Sequence, residues 1–362
     1  MSDANELISF IASMSGEGNL RVEENLGEGF VRLRVSEAER RQAKHDIQHV
    51  EDIIVEMLRN ARDAGASNIY IATLKEEGVR TLLFLDDGSG VPDDMRERIF
   101  DARVTSKLES MKMDRWGVHG RGMALFSIRQ NAERAEVVTS APGRGSSFRV
   151  VVDTERLKER ADQSTWPHAA KNDEGVFSCV RGPHNIIRAV CDFACEELHG
   201  CDVYLGTPTE IAATLYARAS RSLDASRLLF LDDESELAVT ERLGTAVDAA
   251  DFIQIASTLG IEISERTAHR ILAGAIPPLR SVASRLLRER DAASKTVVPV
   301  DLARDRRGLK ISHDDLSVFS RALERDFNDL AQRYYLNLQG TPKIRVTRDR
   351  ISVTFDLSKE DC

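Results

Sequence analysis

Residues 53–71 read IIVEMLRNARDAGASNIYI, and this stretch decides the fold prediction. Apolar residues recur at helical spacing from Val50 to Ala61, and the run stops at Gly65. Because this spacing is that of an amphipathic helix, the stretch predicts a helix of about four turns. Residues 68–74, which follow, predict a strand. A helix that leads directly into a strand indicates a mixed architecture of helices and strands.

Polar residues on this predicted helix share one face. Glu56 and Asn60 lie four residues apart, and Asp63 follows one turn later. An amide oxygen can bind a hard cation such as Mg²⁺, while a carboxylate can orient or deprotonate a water molecule. Taken alone, the pair favours the plainer alternative of a solvated helix face.

A second polar motif ends the next predicted strand. The strand over 79–85 is strongly apolar and leads into Asp86, which Gly88 and Gly90 follow. Asp86 could accept a hydrogen bond from the exocyclic amino group of adenine, and the glycines would let the backbone approach a planar base. A purely structural Asp-Gly turn is the alternative for this motif.

A glycine-rich loop precedes a short apolar helix predicted over 123–130. Glycines at 117, 120 and 122 would expose backbone N–H groups, and the helix N-terminus adds a positive dipole end. Together these features are typical of a site for a triphosphate. The residues before the loop, MKMDRW, predict no strand, which excludes a Rossmann fingerprint, and the chain has no P-loop sequence.

The predicted elements from residue 45 follow the order helix, hairpin, helix, hairpin. This order predicts an α+β sandwich, in which helices cover one face of a mixed, mainly antiparallel sheet. The predicted domains are an N-terminal arm over 1–44, the sandwich over 45–155, a linker with a small α/β unit over 156–235, and a mainly helical region over 236–362 that ends in a β-hairpin.

Length and composition set the remaining bounds. With 362 residues, the chain is long enough for two or three domains. Its net charge of −9 excludes a uniformly basic nucleic-acid packer. No segment approaches the about 20 apolar residues of a membrane span, so we expect no membrane association and a cytoplasmic location. Four of the five cysteines lie between Cys179 and Cys201, a pattern that favours reduced buried thiols over disulfides or zinc.

Four motifs in a fixed order carry a family resemblance. They are Glu56-x-x-x-Asn60, Asp86-x-Gly88-x-Gly90, Gly117-x-x-Gly120-x-Gly122 and Gly143-x-Gly145-Ser146-x-Phe148. In this order they resemble the GHKL superfamily of ATPases, which includes gyrase B subunits, the ninety-kilodalton heat-shock chaperones, sensor histidine kinases and mismatch-repair MutL. The resemblance covers residues 45–153. Within the superfamily, the stretch 53–71 looks most like MutL, and GVHGRG looks like the gyrase B loop.

The resemblance implies a role for each matching residue. It implies that Glu56 activates the hydrolytic water, that Asn60 ligates Mg²⁺ and that Asp86 reads adenine. The other residues implied to bind ATP are Gly88, Gly90, Val91, Thr105, Ser106, Lys107, Gly117, Gly120, Arg121, Gly122, Met123 and Ser146. A mobile lid is expected over 101–122. The chain departs from the family at Ser146, where Thr is usual, and no lysine outside the domain can be assigned to the γ-phosphate.

The C-terminal half contains a second candidate binding region. Residues 253–274 resemble a helix-turn-helix, although the turn is about two residues too long, which favours an ordinary helical hairpin. Between residues 264 and 310 there are 11 Lys and Arg against 5 Asp and Glu. Such a basic region can contact DNA phosphates or pair with acidic helices. The candidate DNA-binding residues are Arg266, Arg270, Arg285, Arg288 and Arg290.

The sequence therefore predicts a protein that binds Mg²⁺ and ATP and hydrolyses the ATP. Closure of the lid would control the appended domains. Candidate partners are a second copy in an ATP-dependent homodimer or another protein. DNA is the favoured macromolecular partner. Two alternatives stay open, namely a histidine-kinase-like phosphotransferase and a nucleotide-sensing transcription regulator without significant hydrolysis. Glu56 argues against the first alternative, as does the lack of a phosphoacceptor helix pair before residue 45.

Overall fold

The structure is a computed structural model in which the chain forms two compact units, residues 1–288 and 289–362. The residues that the structure describes are 22–106, 112–114, 117–119, 122–171, 177–197, 200–223, 231, 233–286, 312–331, 336–346 and 351–359.

The strands of the first unit are β1 (Val22–Gly27), β2 (Phe30–Leu33), β3 (Asn68–Glu76), β4 (Val79–Asp86), β5 (Val104–Thr105), β6 (Lys112–Asp114), β7 (Gly117–His119), β8 (Arg134–Ser140), β9 (Ser146–Asp153), β10 (His168–Lys171), β11 (Phe177–Arg181) and β12 (Asp202–Gly206). Its helices are α1 (Glu37–Asp46), α2 (Val50–Asp63), α3 (Ala124–Asn131), α4 (Ile186–Glu196), α5 (Pro208–Ser222), α6 (Ala249–Thr258) and α7 (Glu265–Leu272).

The central element is a five-stranded sheet in the order β12-β3-β4-β9-β8. β12 runs parallel to β3, and the other pairings are antiparallel. The predicted mixed, mainly antiparallel sheet is therefore confirmed. β4 lies in the middle of the sheet, so Asp86 at its end is held between Ile69 of β3 and Ser146 of β9.

One face of the sheet packs against α2, α3 and α4. Ile54 and Leu58 of α2 are fully buried in one core with Ile71 of β3 and Phe84 of β4. Each of these residues lies on the inward face that the helical or strand period predicts. This packing fixes the orientation of α2, and the opposite face of α2 is thereby directed away from the core.

The other face of the sheet is also covered, which the expectation of helices on one face did not include. Tyr70, Leu83 and Leu85 alternate with the residues of the first core and pack with apolar residues of α5, α6 and α7. β4 therefore has buried residues on both faces, as a central strand with a continuous apolar run does. The run LLFL at 82–85 is the sequence signal for this second layer.

The predicted boundary at residue 155 does not separate two bodies in the structure. β12, which belongs to the predicted small α/β unit, extends the main sheet by pairing Asp202 to Gly206 with Asn68 to Ala72 of β3. Hydrogen bonding of the Val50 N–H to the carbonyl of Lys158 (3.2 Å) also ties the predicted linker to the start of α2. The structure differs here because a parallel strand pairing between distant segments leaves no local pattern in the sequence.

Residues 22–46 form a hairpin and a helix. β1 pairs with β2, and β2 pairs in turn with β5 at the start of the predicted lid, with Val31 opposite Thr105. Arg32 adds ion pairs to Glu24 and to Asp101, both at 2.9 Å. Part of the predicted arm is therefore attached to the sandwich through the first residues of the lid.

The second unit contains α8 (His313–Ala331) and four short strands, β13 (Leu336–Leu338), β14 (Lys343–Val346), β15 (Ile351–Thr354) and β16 (Leu357–Lys359), among its described residues. β14 and β15 pair in antiparallel register with Val346 opposite Ile351, where a closing hairpin is predicted. Among the described residues, no helix is both long and apolar enough to cross a membrane.

The turn between β8 and β9 offers a test of the sheet's geometry. Gly143 and Gly145 both have a positive φ, 72° and 77°. A Cβ atom at position 143 would meet open space, whereas a Cβ atom at position 145 would overlap the carbonyl oxygen of Asp86. We expect Gly143→Ala to lower the free energy of unfolding by about 1 kcal/mol, the cost of a left-handed backbone for an L-residue.

Gly145→Ala adds a steric overlap with a backbone atom, so we expect a loss at least about 2 kcal/mol larger than that of Gly143→Ala. Urea unfolding of the two variants and the wild type, followed by circular dichroism, measures the difference. Equal losses for the two variants would show that β4 and β9 do not approach as closely as the structure has them.

Candidate functional site

A cavity of about 550 Å³ opens between α2, the ends of β4 and β9, and the start of α3. It gathers residues from motifs that are far apart in the sequence. The predicted site residues that line it are Glu56, Asn60, Asp86, Gly90, Val91, Thr105, Ser106, Gly122, Met123 and Ser146. All four predicted motifs thus contribute at least one described residue to one cavity.

Helix α2 presents the first motif to the cavity. Its N-terminus is capped by Asp52, whose Oδ2 accepts the N–H groups of Gln48 and His49 at 2.8 Å. Its C-terminus is joined to the loop of residues 88–90 that follows β4, because the N–H of Ser89 donates to the carbonyl of Ala64 (2.9 Å). With both ends fixed, Glu56 and Asn60 are held on the helix face that borders the cavity.

The side chains of Glu56 and Asn60 have different surroundings. Arg59 Nη1 lies 2.7 Å from Glu56 Oε1, which makes an ion pair across one turn of α2. Nδ2 of Asn60 is buried, and no hydrogen-bond partner for it is found in the part of the chain that the structure describes. A buried amide with an unmatched atom is uncommon in folded proteins. Its presence in a cavity therefore indicates a position where a ligand would complete the hydrogen bonding.

The two aspartates at the end of β4 have different hydrogen-bond partners. Asp86 is buried, and its Oδ1 accepts the N–H of Gly88 at 2.9 Å. Asp87 instead accepts the N–H groups of Ser67 and Asn68 with Oδ1 and the Asn68 amide with Oδ2, all at 2.8 Å. Asp87 therefore joins the turn after β4 to the start of β3, while Asp86 is the carboxylate that lines the cavity.

The glycine loop after β4 interlocks with the turn between β8 and β9. The N–H of Gly145 donates to the carbonyl of Gly88 (3.0 Å), and a Cβ atom at Gly90 would overlap the carbonyl oxygen of Ala141. Ser140 Oγ accepts the N–H of Val91 (2.7 Å) and lies 3.0 Å from Ser146 Oγ. The hydroxyl of Ser146 is thus part of the network that shapes this end of the cavity.

The ends of the predicted lid meet beside the cavity. The N–H of Arg103 donates to the carbonyl of Gly122 (2.8 Å), and both residues have a positive φ, 59° and 66°. Thr105 is held in β5, and Gly117 begins β7. Lys107, Gly120 and Arg121 lie outside the described residues, so their predicted contacts with phosphate stay predictions.

Several residues that line the cavity were not predicted. Phe30 of β2, and Gln42 and Asp46 of α1, lie at its border, and Arg59 lies beside Glu56. None of these three N-terminal residues belongs to a motif. Phe30 is held by the sheet in which β2 pairs with β5, and α1, which carries Gln42 and Asp46, accepts a hydrogen bond from Asn131 of α3 at the carbonyl of Lys44 (3.4 Å). Arg59 could have been found, since an i, i+3 pair with Glu56 is visible in the sequence.

The cysteines form a buried group apart from the cavity. Cys179, Cys191, Cys195 and Cys201 are all buried and free of disulfides. Burial raises the pKa of the Cys201 thiol to about 12, which keeps it protonated. In the part of the chain that the structure describes, no three His, Cys, Asp or Glu residues are arranged to hold a metal ion.

The candidate DNA-binding arginines are not gathered on one described surface. Arg266 and Arg270 are exposed on α7, whose buried face packs through Ala268 and Ile271 in the second core. The guanidinium of Arg285 lies over the ring of Trp166 at 3.5 Å. Arg288 and Arg290 lie outside the described residues.

Comparison with known proteins agrees with this geometry. The sequence profile of the family described as histidine kinase-, DNA gyrase B-, and HSP90-like ATPase matches residues 47–177. This segment begins just before α2 and ends at the first residue of β11. It therefore contains all four motifs that contribute to the cavity and four of the five strands of the main sheet.

Curated relatives of this chain include the DNA mismatch repair protein MutL of several bacteria. MutL of Thermodesulfovibrio yellowstonii is 33% identical over 95 residues, 26% of this chain and 17% of the relative. MutL of Acidiphilium cryptum is 36% identical over 108 residues, 29% and 18% of the two chains. MutL of Thermus thermophilus is 29% identical over 183 residues, 50% and 33% of the two chains.

The matched segments thus span at most 33% of these relatives' length. Among solved structures, full-length ShkA in complex with AMPPNP is 16% identical over 56% of this chain and 46% of its own, with a TM-score of 0.23, which is too low to support an argument about the fold. The family match and the MutL similarity agree with each other and with the cavity. Residues 47–177 are therefore a domain of the histidine kinase-, DNA gyrase B- and HSP90-like ATPase superfamily, similar in sequence to MutL.

Proposed function

We propose that this domain binds ATP with Mg²⁺ in the cavity and hydrolyses the ATP, with Glu56 as general base. The observation that carries the proposal is that one cavity of about 550 Å³ brings together Asp86, Asn60 and Glu56 from two motifs of the ATPase family. The volume lies within the range of about 300–1,000 Å³ that is usual for small-ligand sites.

The base of ATP fits the end of the cavity at β4. Asp86 lines the cavity, and its buried carboxylate is the acceptor that we propose for the adenine amino group. Val91, Ile99 and Phe148 also line the cavity and add apolar surface for a planar ring. A buried carboxylate is costly unless it is hydrogen-bonded, so an amino group of the base is a favourable partner for it.

The phosphates fit the opposite end, where α3 begins. Met123, Ala124 and Leu125 line the cavity, so the N-terminal N–H groups and the dipole of α3 favour an anion there. The lid ends, Arg103 and Gly122, join at the same place. Closure of the segment between them over the phosphates would exclude water other than the reacting molecule.

Mg²⁺ fits the residues present. The buried Asn60 amide has an unmatched atom among the described residues, and Mg²⁺ commonly takes one or two protein oxygens and completes its shell with phosphates and water. Rotation of the amide by half a turn exchanges its oxygen and nitrogen, so either can face the ligand. When bound, the ion would neutralise phosphate charge, while Glu56 accepts a proton from the attacking water.

The first prediction concerns the base. In Asp86→Asn the amide oxygen would keep the Gly88 hydrogen bond, which leaves the NH₂ group facing the adenine amino group. Two donors then oppose each other in a buried position, and we expect ATP affinity to fall by about 1–3 kcal/mol or beyond detection. Titration with a fluorescent ATP analogue measures this change. Asp87→Asn is the matched control, because Asp87 bonds only to Ser67 and Asn68 among the contacts described.

We expect Asp87→Asn to lower stability while the folded fraction keeps nearly wild-type affinity. Wild-type affinity in Asp86→Asn would contradict the assignment of the adenine site.

The second prediction separates the two residues of α2. Glu56→Gln keeps an acceptor for Arg59 but removes the base, so we expect ATP binding to be retained and turnover to fall by about 10²–10⁴-fold. Asn60→Ala removes the metal ligand, and its affinity for ATP in the presence of Mg²⁺ should fall as well. Nucleotide titration and phosphate release are measured for both variants.

The same assay tests the alternative functions. Radioactive phosphate that stays on the protein would indicate a histidine-kinase-like phosphotransferase. Binding of ATP with neither phosphate release nor phosphoprotein would indicate a nucleotide sensor. Unchanged turnover in Glu56→Gln would show that the water is activated by another group. Elution volume with and without a non-hydrolysable analogue tests for the ATP-dependent homodimer.

DNA is the macromolecular partner that we propose, since the curated relatives are named DNA mismatch repair proteins. Arg266 and Arg270 are exposed on α7 and are available to phosphates. We expect their double Ala variant to bind duplex DNA more weakly and to lower the slope of log K against log salt by about two. Arg285→Ala is the control, because Arg285 already packs on Trp166.

Loss of stability without a change of slope is expected for Arg285→Ala. Absence of wild-type binding at low salt, with and without ATP, would remove DNA from the proposal.

A further inference from the structure

Arg59 is a charged residue buried inside the candidate site. It is 5% exposed and lies on α2 between Leu58, which faces the core, and Asn60. Its Nη1 lies 2.7 Å from Glu56 Oε1, and the two side chains are 6% and 24% exposed. Both residues line the cavity. The proposed general base is therefore in direct contact with a guanidinium group.

This ion pair differs from an ordinary pair on a helix surface. Exposed i, i+3 pairs contribute little, because water screens them and the side chains lose freedom. A buried guanidinium, in contrast, is strongly unfavourable without a counter-charge. Glu56 supplies a counter-charge to Arg59 at 2.7 Å.

The contact has a direct consequence for Glu56. An Arg guanidinium is planar and carries its donors in a fixed fork, so it sets the plane and rotamer of the carboxylate that it binds. One oxygen of Glu56 is held by Arg59, and the direction of the other oxygen is then determined. General-base catalysis depends strongly on such orientation, since small displacements of the reacting groups lower the rate.

We propose that Arg59 is a positioning residue, which holds the Glu56 carboxylate in the orientation that activates the attacking water. This inference rests on the proposed hydrolysis of ATP and adds a second residue to it. A direct contact of Arg59 with phosphate is the rival role. The distance of 2.7 Å to Glu56 favours positioning, because the Nη1 donor is already directed at the carboxylate.

The same helix offers a matched control. Arg62 lies three residues after Arg59, and its Nη1 pairs with Glu197 Oε1 at 3.1 Å. The Arg62 side chain is also largely buried, at 12% exposure, but the described lining of the cavity does not include it. Replacement of either arginine by Met thus removes a mostly buried ion pair from α2, and only one of the two pairs involves the proposed base.

The experiment measures kcat and KM for ATP in the full chain. The variants are Arg59→Met, Arg59→Lys, Arg62→Met, Glu56→Gln and the double variant of Glu56→Gln with Arg59→Met, each checked for folding by its thermal transition. We expect Arg59→Met to lower kcat by about 10²-fold, the size of effect that follows from a misplaced catalytic group, with KM changed less than about threefold.

Three further results are expected if Arg59 positions Glu56. Arg59→Lys, which keeps the charge but not the fork, should recover part of kcat. Arg62→Met should keep the wild-type kcat. The double variant should turn over no more slowly than Glu56→Gln alone, because a positioning residue has no effect once the group that it positions is gone.

Other results would overturn the inference. An increase of KM in Arg59→Met with unchanged kcat would assign Arg59 to phosphate binding. Additive losses in the double variant would show an independent role, and an equal loss in Arg62→Met would show a merely structural one. A wild-type protein that binds ATP without turnover would instead contradict the proposed function, and the role of Arg59 in hydrolysis with it. If the wild type hydrolyses ATP and the Arg59 variants have the same turnover, the role of Arg59 is contradicted and the proposed hydrolysis is not.

Discussion

The site depends on the close approach of two backbone segments at the ends of β4 and β9. Residues 88–90 and 141–145 are joined by hydrogen bonds from Gly145 to Gly88 (3.0 Å) and from Gly143 to Ser89 (2.7 Å). Neither segment could approach so closely with side chains at positions 90 and 145. Asp86 lies at this junction, and a side chain at position 145 would overlap its carbonyl oxygen. The glycine at position 145 therefore permits the backbone position from which the buried Asp86 carboxylate borders the cavity.

The parts of this arrangement that are local in sequence could be predicted. The helix that became Val50–Asp63 and the strand pair at 68–86 follow from hydrophobic period and turn residues alone. The motif Asp86-x-Gly88-x-Gly90 singles out Asp86 in the sequence, but no such signal predicts the hydrogen bonds of the neighbouring Asp87. Only the register of β3 against β4 decides which one meets the N–H groups of Ser67 and Asn68.

The parts that could not be predicted involve distant segments. β12 joins the sheet beside β3, across more than a hundred residues, and a parallel pairing carries no turn signal to announce it. The N-terminal hairpin reaches the cavity through its pairing with β5 and through the ion pair of Arg32 with Asp101. The role of Arg59 was missed for a different reason, because charge on a helix is usually solvated, and its burial becomes visible only when the neighbouring elements are in place.

The two ends of the cavity are held in different ways. Beside Asp86, Arg218 of α5 donates to Oδ1 of Asn68 (2.8 Å), and the Asn68 amide donates to Asp87 (2.8 Å), so a helix on the second face of the sheet supports the loop there. Near the start of α3, the N–H of Arg103 donates to the carbonyl of Gly122 (2.8 Å), and β5 pairs with β2. The loop beside Asp86 is thus braced through two successive side-chain hydrogen bonds. The helices on the second face of the sheet contain none of the four motifs. Through Arg218 they nevertheless support the loop beside Asp86, which is one end of the cavity.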